Sequence, residues 1–397
     1  MDLDRQGWSR CLLSGAVFAV CMAGTTLPTP LYGLYQEKFG FSALMVTVVY
    51  AVYAFGVIGV LLLAGNASDA VGRRPVLLAG LGFAALSAVC FLCADGMPWL
   101  YAGRLLSGLS AGLFTGAATA YVMELAPPGG AARATFVATA ANMGGLGCGP
   151  LLAGVLSQYA SWPLYLPFVV HLALVAVAAV VLLRLPETVR ERRPLSTVRP
   201  QRPALPPQVR AVFGPAAIAA FVGFALFGVF TSVSPAFLAQ SLDVHNRALS
   251  GLVVALAFFA STAGQLAVGR VGLERSLPLG CAALLAGLAL LAGALWWDLL
   301  ALVVLSALVG GLGQGLAFRG ALSAVAGASP ADQRAAVIST LFLVAYTGIS
   351  LPVIGVGVLE GPLGLEGAGL VFIGCMAVLV LTAAGYLLRR PARAAAN

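Results

Sequence analysis

Two arginines lie inside long apolar stretches of this sequence, Arg104 in RLLSGLSAG and Arg319 in GQGLAFRGAL. An arginine in the middle of a bilayer costs about 3 kcal/mol on insertion scales, so such residues usually face a cavity or a partner. A guanidinium that faces a cavity attracts a carboxylate, a phosphate or an electron-rich ring. Arg319 is therefore predicted either to reach along its helix toward the nearer membrane surface or to help select a polar or negatively charged ligand.

Groups that could carry a proton are few, because all fourteen acidic residues lie in loops, in tails or at the ends of apolar segments. The remaining candidates are Asp69 and Glu124 at the cytoplasmic rim, Glu37 at the outer rim and His171 in the sixth span. His171 is read first as a hydrogen-bonded structural histidine. Cys90 and Cys93 form a CxxC pair that has no second pair or nearby histidine to complete a metal site. With only two histidines in the chain, no metal, no cofactor and no enzymatic chemistry are predicted.

The elements that must position these residues are membrane helices. Sixty percent of the 397 residues are apolar and nine percent are charged, whereas a soluble domain carries roughly a quarter charged residues. A helix needs about 20 apolar residues to cross the hydrocarbon core, and a backbone in lipid must satisfy its own hydrogen bonds. Twelve spans are predicted, at 11–35, 42–64, 75–94, 98–124, 133–157, 162–185, 211–238, 248–268, 277–296, 299–325, 334–359 and 367–388.

The distribution of basic residues predicts the orientation of these spans. With the N-terminus in the cytoplasm, eighteen of the 22 Lys and Arg residues fall on the cytoplasmic side and two, Lys38 and Arg247, on the other. Both termini are therefore predicted to be cytoplasmic. The formal net charge of +8 is explained by this bias and by contact with anionic lipid, so no nucleic-acid partner is expected.

A basic, proline-rich segment interrupts the series of spans at residues 186–210, with the sequence PETVRERRPLSTVRPQRPALPPQVR. Its prolines and arginines exclude both insertion into lipid and a continuous helix. It is predicted to be a cytoplasmic linker between a six-helix bundle at 1–185 and a second at 211–397. Faint repeats support two copies of one unit, since GNASDAVGRR follows the second span and GQLAVGRVGLER follows the eighth.

Three motifs resemble those of the major facilitator superfamily. GNASDAVGRR carries the family's loop signature at Gly65, Asp69, Gly72, Arg73 and Arg74. RLLSGLSAG at 104–112 resembles the fourth-helix motif, and GGLGCGPLLAG at 144–154 is similar to the fifth-helix motif typical of drug and metabolite antiporters. The residues that carry the fifth-helix motif are Gly145, Gly149, Pro150 and Gly154. The usual glycine nine residues before Gly145 is replaced by Phe136.

The resemblance implies an all-α membrane protein of twelve helices in two six-helix bundles related by pseudo-two-fold symmetry. It also implies a secondary transporter that works by alternating access, a proton-coupled exporter of drug-like compounds or metabolites. The short loops and the ratio of 21 arginines to one lysine favour a bacterial inner membrane. The alternative is an uptake permease or exchanger for a small organic anion. The partners expected are a small-molecule substrate, protons and lipid, and the protein is expected to be monomeric.

The resemblance also implies which residues act. The polar and charged residues expected to line the substrate cavity are Thr26, Thr29, Tyr32, Arg104, Asn142, Thr231, Ser234, Gln265, Gln314, Arg319 and Tyr346. A cytoplasmic gate is expected at Gly65, Asp69, Gly72, Arg73, Arg74, Glu124 and Arg133, where Glu124 could pair with one of the loop arginines. Asp69, Glu124 and His171 are the candidates for proton coupling. One proton falling through about 150 mV releases about 3.5 kcal/mol, enough to move a solute against a tenfold gradient, which costs about 1.4 kcal/mol.

Overall fold

The computed structural model describes residues 2–198 and 200–389. The side chains of residues 2–5 and 195 are not described. Arg199 and the C-terminal tail from residue 390, both predicted to be cytoplasmic, lie outside the described residues. The regular structure within the described ranges is helical, and the chain divides by packing into two compact units.

Unit 1 comprises Met1–Arg202 together with His245–Phe258. Residues 186–202, the first part of the predicted linker, thus pack with the helices that precede them. The helices of the first 202 residues are α1 (Asp2–Thr26), α2 (Tyr32–Phe39), α3 (Ala43–Ala64), α4 (Ala67–Val71), α5 (Arg73–Leu92), α6 (Met97–Glu124), α7 (Ala131–Thr139), α8 (Gly145–Tyr159) and α9 (Leu166–Arg184). A π-helical turn at Ala140–Gly144 joins α7 to α8.

Unit 2 comprises Pro203–Val244 and Phe259–Asn397. Its helices are α10 (Arg210–Ser232), α11 (Ser234–Gln240), the second half of α12 (Arg247–Val271), α13 (Leu273–Trp297), α14 (Leu300–Ala328) and α15 (Arg334–Leu388). The first half of α12 packs with unit 1.

The predicted number of membrane spans is confirmed. Eleven helical stretches of the described chain are long and apolar enough to cross a membrane. The last of them, α15, has 55 residues, which is far longer than one crossing requires. Gly364 divides it, because its φ of 70° and ψ of 172° are not helical, and the two parts make the total twelve.

Two spans differ from the continuous helices that the hydropathy predicts. The first span ends its helix at Thr26 and continues through a 3₁₀ turn at Thr29–Leu31 before α2 begins. The seventh breaks between Ser232 and Ser234. Pro28, Pro30 and Pro235 account for these breaks, since a proline has no N–H to donate to the preceding turn and its ring crowds the carbonyl there.

Glycines set how closely the helices of each unit approach. A Cβ on Gly56 of α3 would lie 2.5 Å from the carbonyl oxygen of Leu105 on α6. In unit 2, a Cβ on Gly287 of α13 would lie 2.6 Å from the Cα of Gly310 on α14. Such contacts let backbones meet where apolar side chains would otherwise hold them apart. The α3–α6 contact holds Arg104 against the tyrosines of α3.

Candidate functional site

The loop between α3 and α5 turns sharply at Gly72, whose φ of +117° lies in a region that side chains disfavour. The short helix α4 ends just before Gly72, and α5 starts directly after it at Arg73. Two arginines therefore occupy the first turn of a helix, where the helix dipole disfavours positive charge. Nearby carboxylates must offset this arrangement.

Arg73 is the centre of a charged cluster in unit 1. Its Nη1 lies 2.7 Å from Asp69 Oδ1 and donates a 2.7 Å hydrogen bond to Ser68 Oγ. Its Nη2 lies 2.9 Å from Glu124 Oε1. Glu124 also accepts a hydrogen bond from the hydroxyl of Thr188. The pairing of Glu124 with a loop arginine that the sequence suggests is therefore present, and it joins α4, α5, α6 and the segment after α9.

Glu187, which the sequence analysis did not single out, caps the N-terminus of α5. Its carboxylate accepts hydrogen bonds from the backbone N–H groups of Arg73 and Arg74 at 2.9 and 3.1 Å, and from those of Thr188 and Val189. Burial alone would raise the pKa of Glu187 and is the largest single influence. The four backbone donors together outweigh it and hold the pKa below its usual value.

The other predicted gate residues separate into neighbours of this cluster and one outlier. Arg74 donates from Nη2 to the carbonyl oxygen of Leu183 at 2.7 Å. Gly65 lies at the end of α3, where a Cβ would be 3.3 Å from the side chain of Gln201. Arg133 is exposed, and its guanidinium lies 5.4 Å from the ring centroid of Trp8, so the structure places it with α1 and not with Arg73.

Arg104 is only 2% exposed and has its partners within unit 1. Nη1 donates a 2.6 Å hydrogen bond to the carbonyl oxygen of Thr25, and Nη2 donates a 3.3 Å bond to that of Tyr50. The guanidinium also lies 4.8 Å from the ring centroid of Tyr53 and 5.2 Å from that of Tyr50. Carbonyl dipoles and ring faces both stabilise a buried cation. Arg104 thus fastens α6 to α1 and α3.

The fifth-helix motif packs α8 against α1. A Cβ on Gly145 would lie 2.6 Å from the carbonyl oxygen of Ala19, and one on Gly149 would lie 2.6 Å from Thr26 Oγ1. Thr26 donates a 2.7 Å hydrogen bond to the carbonyl oxygen of Leu146. The motif's glycines therefore allow direct backbone contact between the two helices. Farther along α8, a Cβ on Gly154 would lie 2.5 Å from the carbonyl oxygen of Arg247.

The remaining polar residues predicted for the cavity in unit 1 are Thr29, Tyr32 and Asn142. Thr29 and Tyr32 are buried where the first span breaks, and the hydroxyl of Tyr32 has no hydrogen-bond partner among the described residues. Asn142 is half-buried in the π-helical turn before α8. A π turn widens a helix locally and often marks a functional site.

His171 of α9 is 2% exposed, and neither ring nitrogen has a hydrogen-bond partner among the described residues. The ring packs against the backbone of α1 at Gly24, where any Cβ would overlap it. It lines a cavity of about 10 Å³ with Cys21, Ser107 and other residues, which is room for about one water molecule. The described chain places no acid in the lining of this cavity.

In unit 2, two predicted cavity residues are linked through a third. Ser261 of α12 donates a 2.6 Å hydrogen bond to Gln314 Oε1 of α14, and the Gln265 amide donates to the Ser261 hydroxyl at 3.4 Å. Gln314 is buried, and a Cβ on Gly223 of α10 would lie 2.8 Å from its Cγ. Three helices therefore meet at one polar chain.

Next to these hydrogen-bonded side chains lies an aromatic quartet, in which each ring packs against two of the others. Its members are Phe224, Phe318, Phe342 and Tyr346. The centroid distances are 5.3 Å for Phe224–Phe318, 5.7 Å for Phe318–Phe342, 6.3 Å for Phe342–Tyr346 and 5.6 Å for Tyr346–Phe224. Aromatic pairs at these separations contribute about 0.5–1.5 kcal/mol beyond their buried area. Of the four, only Tyr346 was predicted as a cavity residue.

The last three predicted cavity residues occupy different surroundings. Thr231 is fully buried and donates to the carbonyl oxygen of Phe227 on its own helix at 2.7 Å. Ser234 lines a separate, mainly apolar cavity of unit 2 with Phe230 and Phe372. Arg319 is half-buried in α14, and no hydrogen bond or ion pair joins it to any other described residue.

Comparisons with known proteins agree with this architecture. The family model described as Major Facilitator Superfamily matches residues 13–352. The puromycin resistance protein pur8 of Streptomyces alboniger is 31% identical over 160 residues, which cover 40% of this chain and 31% of that protein. The match thus spans about a third of that relative's length.

Solved structures resemble this fold over nearly the whole chain. A bacterial homologue of the human lysosomal transporter Spinster is 15% identical, with a TM-score of 0.73, over 98% of this chain and 99% of that one. A POT family transporter in complex with 5-aminolevulinic acid is 13% identical, with a TM-score of 0.75, over 96% of both chains. The nucleoside transporter NupG is 16% identical, with a TM-score of 0.66, over 95% of this chain and 98% of that one.

Proposed function

Because the chain belongs to the major facilitator superfamily, a family of multi-pass membrane transporters, we propose that it is a proton-coupled exporter of small drug-like compounds or metabolites. It works as a monomer by alternating access in a bacterial inner membrane, with both termini in the cytoplasm. Its cycle needs no enzymatic step and no cofactor, since one proton per turnover supplies sufficient energy.

The observation that carries the export proposal is the packing of the fifth-helix motif on α1. Gly145 and Gly149 lie against the α1 backbone on the helix that also carries Thr26, one of the residues expected in the substrate cavity. A movement of α8 is therefore passed directly to α1. The relative named for puromycin resistance agrees with export of a toxic compound, although the match covers only part of each chain.

The gate proposal rests on the cluster around Arg73. Asp69 and Glu124 both pair with this one guanidinium, so protonation of either carboxylate would remove one of its two ion pairs. Binding of a proton to Asp69 or Glu124 would then also break a contact that holds the loop. This pairing supports our proposal that a proton acts on the gate through Asp69 and Glu124, with His171 as the remaining candidate.

A second candidate function, uptake or exchange of a small organic anion, is favoured by Arg319. It is a half-buried cation without a bonding partner among the described residues. The direction of transport separates the two functions, whereas the charge of the substrate does not.

Transport into everted membrane vesicles tests the export proposal, with radiolabelled puromycin as the first probe and a panel of metabolites and antibiotics after it. For an exported probe, we expect accumulation that requires this protein and stops when nigericin collapses the pH gradient. Vesicles without the protein are the control. Accumulation that persists after a protonophore has abolished both the pH gradient and the membrane potential would refute proton coupling. Uptake only into right-side-out vesicles would establish the second candidate.

A further inference from the structure

The two intramembrane arginines have opposite environments. Arg104 is buried, bonded to two carbonyl oxygens and packed against two tyrosine rings. Arg319 is half-buried and makes no such bond with any described residue. A guanidinium in a membrane is costly unless its charge and donors are satisfied. The fold supplies acceptors for both Nη groups of Arg104, although its Nε has no partner among the described residues, and it supplies none for Arg319.

The position of Arg319 on α14 indicates where its side chain acts. Nine residues separate it from the end of the helix at Ala328, a distance of about 13 Å along the axis. Gly315, one turn earlier on the same face, packs so closely on α12 that a Cβ there would lie 2.9 Å from the backbone nitrogen of Gln265. Arg319 therefore lies on the face of α14 that packs against α12 near Gln265, and helical side chains lean toward the N-terminal turn, which is the turn of Gly315.

No described Asp or Glu forms an ion pair with Arg319. Helices α10, α12 and α14 have no Asp or Glu anywhere in their sequences. Helix α13, which also packs on α14, has Glu274 in its first turn, but Glu274 makes no ion pair with Arg319. The charge of Arg319 is therefore left for a negatively charged group from outside the chain.

We propose that Arg319 binds the negatively charged group of the transported molecule, a carboxylate, phosphate or sulfonate on an aromatic or apolar organic anion. This inference rests on the proposed transport function, whichever direction transport takes. The planar guanidinium can hold such a group through two parallel hydrogen bonds. The Gln265 and Gln314 side chains are joined by hydrogen bonds through Ser261, and Phe318 follows Gln314 by one turn on α14.

The test compares three probes that share one ring system and differ in charge, 2-naphthoate, 2-naphthamide and 2-naphthylmethylammonium. Dissociation constants are measured with the full-length protein in phosphatidylcholine nanodiscs. We expect the wild type to bind naphthoate at least about tenfold more tightly than the amide, which corresponds to about 1.4 kcal/mol. In Arg319→Gln the ratio should fall to within about twofold, because the charge-assisted bond is lost.

Two further variants separate this effect from net charge and from misfolding. Arg270→Gln removes an exposed charge from α12 of the same unit and should keep the wild-type ratio. Arg319→Lys retains the charge but not the paired donors, and should give an intermediate ratio even if Arg319→Gln does not fold. Equal binding of all three probes by the wild type, or an unchanged ratio in both Arg319 variants, would overturn the proposal.

Repeating the measurement with phosphatidylglycerol in the nanodiscs distinguishes a soluble anion from a lipid headgroup. We expect the preference for naphthoate to persist. If anionic lipid abolishes it in the wild type alone, Arg319 binds lipid and the proposal is wrong. A charge preference that Arg319→Gln abolishes, without vesicle transport of any probe, would keep Arg319 as an anion-binding residue and refute the transport function on which the rest of the inference depends. Transport of the probes without any preference for the anion would refute the role of Arg319 and support the transport function.

Discussion

The carboxylate of Glu187 accepts a 2.9 Å hydrogen bond from the backbone N–H of Arg73. A residue that follows α9 thereby completes the first turn of α5, more than a hundred positions earlier in the chain. Free N–H groups at the start of a helix need hydrogen-bond acceptors. Because two arginines begin α5, a negatively charged acceptor stabilises this helix end more than a neutral one would. The loop motif therefore depends on a partner outside itself.

Glu187→Gln should lower the thermal stability of the protein at pH 7, because an amide is a weaker acceptor for the N–H groups and lacks the charge. A lost cap costs about 1 kcal/mol. The comparison is made by thermal unfolding of both proteins in the same detergent. Glu191→Gln, at an exposed position in the same segment, should leave the melting temperature unchanged.

The same pair of proteins should show a defined pH dependence. Since the folded state lowers the pKa of Glu187, its contribution is present above the unfolded pKa of about 4.3 and lost as pH falls through the folded value. The difference between wild type and Glu187→Gln should therefore be full at pH 7 and shrink below about pH 4. A difference that grows on acidification would contradict this assignment.

Arg104→Gln and Arg319→Gln should have unequal effects on stability. The first removes two charge-assisted bonds to buried carbonyl oxygens, which together contribute about 3 kcal/mol. For a unit of about 200 residues this corresponds to a melting temperature lower by roughly 6–12 °C. Arg319→Gln removes no bond to a described residue and should change the melting temperature little. Equal losses would show that Arg319 is also structural.

Gly149→Ala should disrupt the contact between α8 and α1. The added Cβ would lie 2.6 Å from Thr26 Oγ1 and would overlap the carbonyl oxygen of Ala23, and such overpacking costs about 1–3 kcal/mol. Gly116→Ala is the matched control, because nothing lies within 4 Å of a Cβ at that helical position. We expect reduced vesicle transport and a lower melting temperature in Gly149→Ala only. Normal transport by it would separate this contact from function.

Glu124→Gln should remove the response of transport to the pH gradient, because the amide resembles the protonated acid and cannot form the ion pair with Arg73. His171→Gln should keep that response, since a charged imidazole would have no acid among the residues that line its cavity. Both variants are compared in everted vesicles with and without nigericin. If Glu124→Gln keeps the response and His171→Gln loses it, the proton-coupling site is the cavity lined by His171 and not the Arg73 cluster.

Hydropathy alone predicts the twelve spans, because lipid requires long apolar helices. The loop motif predicts its own turn at Gly72 and the acid that pairs with Arg73, since charges at adjacent helix ends have few other partners. Hydropathy averages over the breaks after Thr26 and Ser232, but Pro28, Pro30 and Pro235 predict bends at these places in the first and seventh spans.

The aromatic quartet and the capping of α5 by Glu187 could not be predicted from the amino-acid sequence. Phe342 and Tyr346 stand four residues apart on one helix face, but their partners Phe224 and Phe318 come from other helices, and only packing reveals the quartet. Glu187 is one of two acids in a basic segment, and nothing local indicates that it reaches α5. The pattern and spacing of residues within one segment do not predict its tertiary contacts with distant segments.

The contacts of residues 186–202 with unit 1 determine where the gene can be divided into two co-expressed fragments. Besides Glu187, it bonds to unit 1 through the Arg193 N–H to the carbonyl oxygen of Ala70 and the Gln201 N–H to that of Leu62. Two polypeptides separated between Arg202 and Pro203 would keep all three attachments on the first fragment. Separation after Leu185 would instead place Glu187 on the second fragment, so that its bonds to α5 must form between two polypeptides. Co-expressed halves should therefore reconstitute better from the first division than from the second.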